Sequence, residues 1–164
     1  MPDWRATANW QTLKRRSAFF AQVRRYFEQR DCLEVHIPIL QDGANLDHGI
    51  ELLSTDTQQY LISSPEHYLK RLLCGGAEDC YAISPCFRRN ESGQRHNPEF
   101  YMLEWYRRDW KLPQLIEECC NFLSYCLEKK RIAVKQITYR YAFLRSGGLD
   151  PFQPSTPQLT GALN

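Results

Sequence analysis

Between Cys86 and Tyr106 the chain concentrates side chains that can do chemistry on charged substrates. Three arginines (Arg88, Arg89, Arg95), three carboxylates (Glu91, Glu99, Glu104), the imidazole of His96 and the rings of Phe87, Phe100 and Tyr106 fall within twenty-one positions. An arginine fork matches the oxygens of a phosphate, and an aromatic face can stack on a nucleobase. A carboxylate on the same surface can hold a cationic amine. Those are the parts needed to bind a nucleotide beside an amino acid.

The elements that must position them can be read from the flanks. Residues 79–87 and 99–106 are strand-like, and the polar run Arg89 to Asn97 with Gly93 lies between them, so a long hairpin is predicted. Pro85 predicts an edge or a bulge in its first strand. Upstream, Trp10, Leu13, Phe20, Val23 and Phe27 recur at helical spacing with Lys14, Arg15, Arg16, Arg24 and Arg25 between them, predicting an amphipathic helix over 10–30. A strand from Cys32 to Ile37 follows and stops at Pro38. His36 on that strand reads as structural.

Gln41 to Gln59 is polar and is predicted to be a loop placed to cover a site; it contains Asn45 and the pair Asp47 and His48, for which nothing downstream completes a triad. Residues 59–63 read as a strand. A helix is predicted over Glu66 to Cys74, with Ser64 capping, Pro65 at the first helical position and Gly75-Gly76 ending it. A second amphipathic helix is predicted over Pro113 to Lys130, with Glu117 and Glu118 early and Lys129, Lys130 and Arg131 late, as the helix dipole favours.

The 164 residues suffice for one ordinary domain with its own core, and 43% hydrophobic composition fits a folded chain rather than a disordered one. A net charge of +2 does not by itself indicate nucleic acid. No apolar run is long enough for a membrane span, and Met1-Pro2-Asp3-Trp4-Arg5 lacks the core of a secretory signal, so a cytoplasmic protein without membrane contact is expected. Seven cysteines form no Cys-x-x-Cys pair. The six-residue recurrence of Cys74, Cys80 and Cys86 reads as reduced, partly buried thiols, and no metal site is expected.

The stretch Phe87-Arg88, with Glu91 and Gly93, then Arg95-His96-Asn97-Pro98-Glu99-Phe100 and Met102-Leu103-Glu104-Trp105-Tyr106-Arg107, resembles motif 2 of class II aminoacyl-tRNA synthetases. Within them it is most similar to the lysyl branch and its paralogues, the elongation factor P lysine ligases. Residues 19–38 resemble motif 1, which builds the dimer interface in that family, and Tyr139 to Phe143 are similar to a further family segment. The resemblance implies an α+β fold in which an antiparallel sheet is flanked by helices. It places a catalytic half-domain over 1–150, followed by a Pro-rich tail over 151–164. Nothing resembles motif 3, so the domain is expected to be incomplete.

The resemblance also implies roles. Arg88 is the catalytic arginine bridging an α-phosphate and the substrate carboxylate. Ser64, Pro65, Glu66, Glu104 and Tyr106 surround the amino acid. Arg88, Arg89, Asn90, Glu91, His96, Asn97 and Phe100 surround ATP, with Phe100 stacked on adenine and Mg2+ accompanying the nucleotide. The family pattern Phe-Arg-x-Glu departs here, because Asn90 stands where the glutamate would be and Glu91 comes one residue late. In an extended strand Glu91 would face the opposite side unless the loop bulges, and either residue can take that role. The implied function is ATP-dependent activation of lysine or β-lysine and ligation to a lysine of elongation factor P by a homodimer. tRNA binding is not expected without an anticodon-binding module. The alternatives are a truncated lysyl-tRNA synthetase and a non-catalytic synthetase-like binding or dimerisation domain.

Overall fold

The computed structural model describes residues 5–43, 47–129 and 132–153. Asn45, Lys130, Arg131 and the tail from Pro154 onward, all named in the expectations above, lie outside them. The chain divides into two compact units, residues 1–130 and 131–164.

The first unit is built on helix α1 (Trp10–Glu28), short strands β1 (Leu33–Glu34), β2 (Leu40–Gln41) and β3 (Tyr60–Leu61), helix α2 (Glu66–Cys74), the long strands β4 (Cys80–Phe87) and β5 (Glu99–Tyr106), and helix α3 (Leu112–Cys126). β4 and β5 form the expected antiparallel hairpin, paired without interruption from Cys80↔Tyr106 to Phe87↔Glu99. β1 joins β4 in parallel, so the three-stranded sheet β1-β4-β5 is mixed rather than wholly antiparallel. β2 and β3 form a separate antiparallel pair. The predicted strand over 32–37 is regular only at Leu33–Glu34, although the Val35 N–H still donates to the Tyr81 carbonyl at 2.8 Å.

Pro85 makes no bulge, since it stands in register opposite Tyr101, and its outer side lies beyond the β1 pairing at Cys80 and Tyr81, an edge position as the sequence predicts. Backbone parity explains why. The Arg88 N–H donates into the hairpin, to the Pro98 carbonyl, whereas the Phe87 N–H donates away from it, to the Ile62 carbonyl. Pro85 shares the parity of Phe87, so its missing N–H removes no hairpin bond.

The two-residue period of the hairpin sorts its side chains onto two faces. On one face Tyr81, Ile83, Leu103 and Trp105 pack against Val23, Tyr26 and Phe27 of α1 and Phe122 of α3. Phe27 stacks on Tyr81 with ring centroids 4.5 Å apart, and Tyr26 meets Phe122 edge-on at 5.1 Å. On the other face Cys80, Ala82 and Tyr106 pack against Leu69 of α2. The apolar stripe of α1 is buried only in its second half; Trp10 is 70% exposed, and Tyr26 replaces it as a core residue.

An ion pair lies on the helical side of this core. Arg107, immediately after β5, donates from Nε to both carboxylate oxygens of Glu118 at 3.0 Å and from Nη1 to Asp79 at 3.0 Å. The side chains of Arg107 and Glu118 are 2% and 3% exposed. Burial opposes the charge on Arg107, but the hydrogen bonds to Glu118 and Asp79 prevail and hold its pKa above the ordinary arginine value. Trp105 Nε1–H also donates to Glu118, at 2.9 Å. Glu118 therefore does not complement the dipole of α3 as the sequence predicts; it is the buried partner of a cation.

In the second unit, α4 (Tyr139–Gly147) starts at Thr138, whose side chain accepts the Tyr141 N–H at 3.2 Å. It ends at Gly148, which adopts a left-handed φ of 66°. Tyr139 packs on Phe143 one turn later, with ring centroids 4.7 Å apart.

Candidate functional site

The predicted site residues gather on the α2 face of the hairpin. Phe100, Glu104 and Tyr106 share one strand parity, so they line one side of β5, and four residues at about 3.3 Å each separate the Phe100 end from the Glu104 end by roughly 13 Å. Two clusters result.

At the Glu104 end, both carboxylate oxygens are engaged. Ser64 Oγ–H donates to Oε2 at 3.0 Å, and the Tyr106 hydroxyl donates to Oε1 at 2.7 Å. Burial raises the Tyr106 pKa, and the hydrogen bond to Glu104 raises it further, so the phenol stays a proton donor. Ser64 also accepts the Glu66 N–H at 3.1 Å. It thus satisfies one of the open N–H groups at the start of α2 while steadying Glu104 across the gap between helix and strand. Pro65 occupies the cap position itself rather than the first helical position, with φ −74° and ψ −6°. The Glu66 carboxylate is paired with Lys70 one turn along α2, and that hydrogen bond raises the lysine's pKa. The far end of α2 is closed as the sequence predicts: Gly75 donates to the Arg71 carbonyl, and Gly76 turns with φ +94°.

At the Phe100 end, the Arg88 guanidinium lies over the Phe100 ring, 5.2 Å from its centroid, and Nη1 is 3.4 Å from Glu91. Arg88 Nε is buried and has no hydrogen-bond partner among the described residues. A buried guanidinium N–H left open is costly unless an acceptor arrives. That donor, on a guanidinium lying over an aromatic ring, is of the kind that suits an anionic oxygen of a nucleotide or carboxylate.

Asn90 resolves the register question raised by the late glutamate. It adopts a left-handed φ of 64°, and the chain turns there, so Glu91 returns to Arg88 instead of facing away. Asn90 itself is tied elsewhere: its Nδ2 donates to Glu51 Oε2 at 2.7 Å, and the Arg89 N–H donates to the Glu51 carbonyl at 2.8 Å. His96 and Asn97 are exposed near the tip of the loop, where Gly93 and His96 form a backbone bridge. The site therefore unites Ser64, Glu66, Glu104 and Tyr106 in one group and Arg88, Glu91 and Phe100 in another. Arg89 and Asn90 face Glu51, and His96 and Asn97 remain outside both groups.

Sequence reasoning missed Glu51, which the polar run 41–59 hid among loop residues, and Lys70, whose four-residue spacing from Glu66 was the available signal. Among the described residues no group of three or more His, Cys, Asp or Glu is placed to hold a metal ion, and no helix is long and apolar enough to cross a membrane.

Comparison with known proteins adds a lineage to this geometry. Residues 1–159 match the model of the class II tRNA synthetases (D, K and N). The elongation factor P–(R)-β-lysine ligase of Haemophilus ducreyi is 37% identical over 96% of this chain, and that of Photorhabdus laumondii is 35% identical over 93%. The chain spans about half the length of these curated relatives, 50% and 51% respectively. Among solved structures, asparaginyl-tRNA synthetase from Pyrococcus horikoshii, complexed with asparaginyl-adenylate, superimposes with a TM-score of 0.62 at 27% identity. The match covers 71% of this chain and 27% of that one. The mixed sheet with its flanking helices is accordingly part of a class II synthetase-like fold, and the chain belongs to the family of class II tRNA synthetases for D, K and N.

Proposed function

We propose that the chain belongs to an ATP-dependent ligase that activates lysine or β-lysine as an adenylate and transfers it to a lysine of elongation factor P. The observation that carries this reading is the pairing, on one hairpin face, of a fixed carboxylate at Glu104 with an open buried donor at Arg88 Nε. The first suits a cationic amine and the second an anionic oxygen, and activating an amino acid requires both at once.

In the reaction, a carboxylate oxygen of the amino acid attacks the α-phosphorus of ATP, and the bond to pyrophosphate breaks. Two anions must approach, so a fixed cation between them lowers the barrier by orientation and by stabilising the added charge. Arg88 fills that role, with Phe100 as the platform for adenine and Glu91 restraining the guanidinium. Ser64 and Tyr106 hold Glu104 ready for the substrate amine, and Glu66, paired with Lys70, supplies a second carboxylate that the amine can share. Mg2+ accompanies the phosphates of the nucleotide. In the second step the acceptor lysine's amine attacks the activated carbonyl, loses a proton as the amide forms, and AMP leaves. The reading takes residues 1–150 as synthetase-like, a homodimer through α1 and β1, and the cytoplasm as the site of action. The names of the curated relatives support the acceptor and the amino acid.

The test is incubation with ATP, β-lysine and elongation factor P, followed by intact-mass measurement of the acceptor. The reading expects a gain of one aminoacyl group, absent with Arg88→Ala. Charging of lysine tRNA instead would favour the lysyl-tRNA synthetase alternative, and no product on either acceptor would overturn enzymatic activity for this chain.

A further inference from the structure

At Glu51 the polar segment before β3 meets the hairpin loop twice. Glu51 accepts the Arg89 N–H through its backbone carbonyl at 2.8 Å and the Asn90 amide through its carboxylate at 2.7 Å. We infer that Glu51 is a positioning residue for Arg88, latching the turn that brings Glu91 back against the guanidinium. This rests on the role proposed above for Arg88.

The geometry of the turn makes the latch matter. Asn90 sits at φ +64°, a conformation that asparagine tolerates better than most residues but does not prefer. Something outside the turn has to favour it, and the contacts supplying that bias are the two to Glu51. Because the turn is held, Glu91 reaches Arg88 Nη1 at 3.4 Å, although its place in the sequence alone would send it to the other face of a strand. Glu51 is itself on a firm base. The Leu61 N–H donates to the Leu53 carbonyl at 2.9 Å, the Thr55 N–H donates to the Gln59 carbonyl at 2.8 Å, and Ser54 bridges Tyr60, so the segment after Glu51 forms a ribbon ending in β3. One residue beyond β3, the Ile62 carbonyl accepts the Phe87 N–H at 2.8 Å, so the same ribbon braces the residue preceding Arg88. Arg88 is therefore approached from both sides by one segment, with Glu51 as its outer contact. Glu51 is exposed and touches neither Arg88 nor Phe100 in the described contacts, so its influence on Arg88 runs through Asn90 and Glu91.

The test compares Glu51→Ala, Glu51→Gln, Asn90→Gly and the double variant Glu51→Ala/Asn90→Gly. Two readouts are taken: amide hydrogen exchange over residues 89–93, and KM for ATP against kcat in pyrophosphate exchange. Glycine keeps the left-handed turn while deleting the side-chain contact, and none of the four changes removes the backbone bond from Arg89 or a core residue. The inference expects at least a several-fold loss of protection over 89–93 in Glu51→Ala. It also expects a several-fold rise in KM for ATP and partial restoration of both by Glu51→Gln, whose amide oxygen still accepts. The double variant should be no worse than the worse single one, because both delete the same contact. Unchanged protection in Glu51→Ala, or additive losses in the double variant, would overturn the latch. A wild-type chain that catalyses no exchange would overturn the proposed function instead, and the protection readout would then decide the latch alone.

Discussion

Ser64 and Glu104 lie forty positions apart in the sequence, yet the serine hydroxyl donates to the glutamate carboxylate at 3.0 Å, joining the start of α2 to the middle of β5. The same hydroxyl accepts the Glu66 N–H, so one small side chain serves both the helix and the candidate substrate carboxylate.

Replacing Ser64 with alanine removes both bonds. Losing a helix-start acceptor and one partly buried hydrogen bond costs about 1 kcal/mol or somewhat more. Glu104 also gains freedom to rotate, so KM for the amino acid should rise several-fold while KM for ATP changes little. Denaturant unfolding and steady-state exchange kinetics check the two effects separately, and an ATP-selective defect would contradict the assignment of this cluster.

The pair Arg107–Glu118 should dominate stability without entering catalysis. Deleting one member of a buried pair strands the other charge, with a cost of about 3–5 kcal/mol. Glu118→Ala should therefore lower the urea midpoint steeply or prevent folding, since Glu118 also accepts from Trp105. A loss within about 0.5 kcal/mol, the usual size for exposed sites, would show that the pair is open to water.

Thiol chemistry should separate the cysteines by burial. Cys32, Cys80 and Cys86 are buried, while Cys74 is exposed. Burial pushes the Cys86 thiol up to about 11 and the Cys32 thiol up to about 12, so almost none of either is thiolate at pH 8. Iodoacetamide followed by peptide mapping should find Cys74 modified while Cys32 and Cys86 remain intact until the protein unfolds. Early modification of Cys86 would contradict the packing beneath the hairpin.

Acid stability should depend on Glu34. Its carboxylate accepts from Arg24 at 2.8 and 3.0 Å and from the Tyr81 hydroxyl at 3.1 Å. The bonds from Arg24 lower its pKa most; burial works against them, and the bond from Tyr81 adds to the lowering. A carboxylate with a depressed folded pKa stabilises the fold above its unfolded value of about 4.3, and that contribution is lost as pH falls through the folded pKa. Arg24→Ala should thus be less stable than wild type at pH 7, and the difference should shrink as the pH drops below 4. A difference independent of pH would assign the effect of Arg24 to packing.

How much of this was legible in the sequence differs by element. The bounds of α2 could be read because its signals are local: a Ser-Pro-Glu start and a Gly-Gly stop. The hairpin was legible because two strand-like runs flank a polar run that contains Gly93. The regular part of β1 shrank to two residues because pairing with β4 depends on where the chain leaves α1, which no local pattern encodes. Glu118 was read as a dipole partner because helical position is local, whereas its burial with Arg107 depends on how α3 docks. The contacts from Ser64 to Glu104 and from Glu51 to Asn90 span forty and thirty-nine positions. Only the folded sheet brings those residues together.

The most direct measurement is ATP–pyrophosphate exchange with the purified chain, given lysine and then β-lysine. The account predicts amino-acid-dependent exchange that falls at least a hundredfold in Arg88→Ala, about 2.7 kcal/mol of transition-state stabilisation at 1.36 kcal/mol per tenfold. Exchange that persists in Arg88→Ala, or none from a folded wild-type chain, would contradict the claim that this hairpin face forms adenylates.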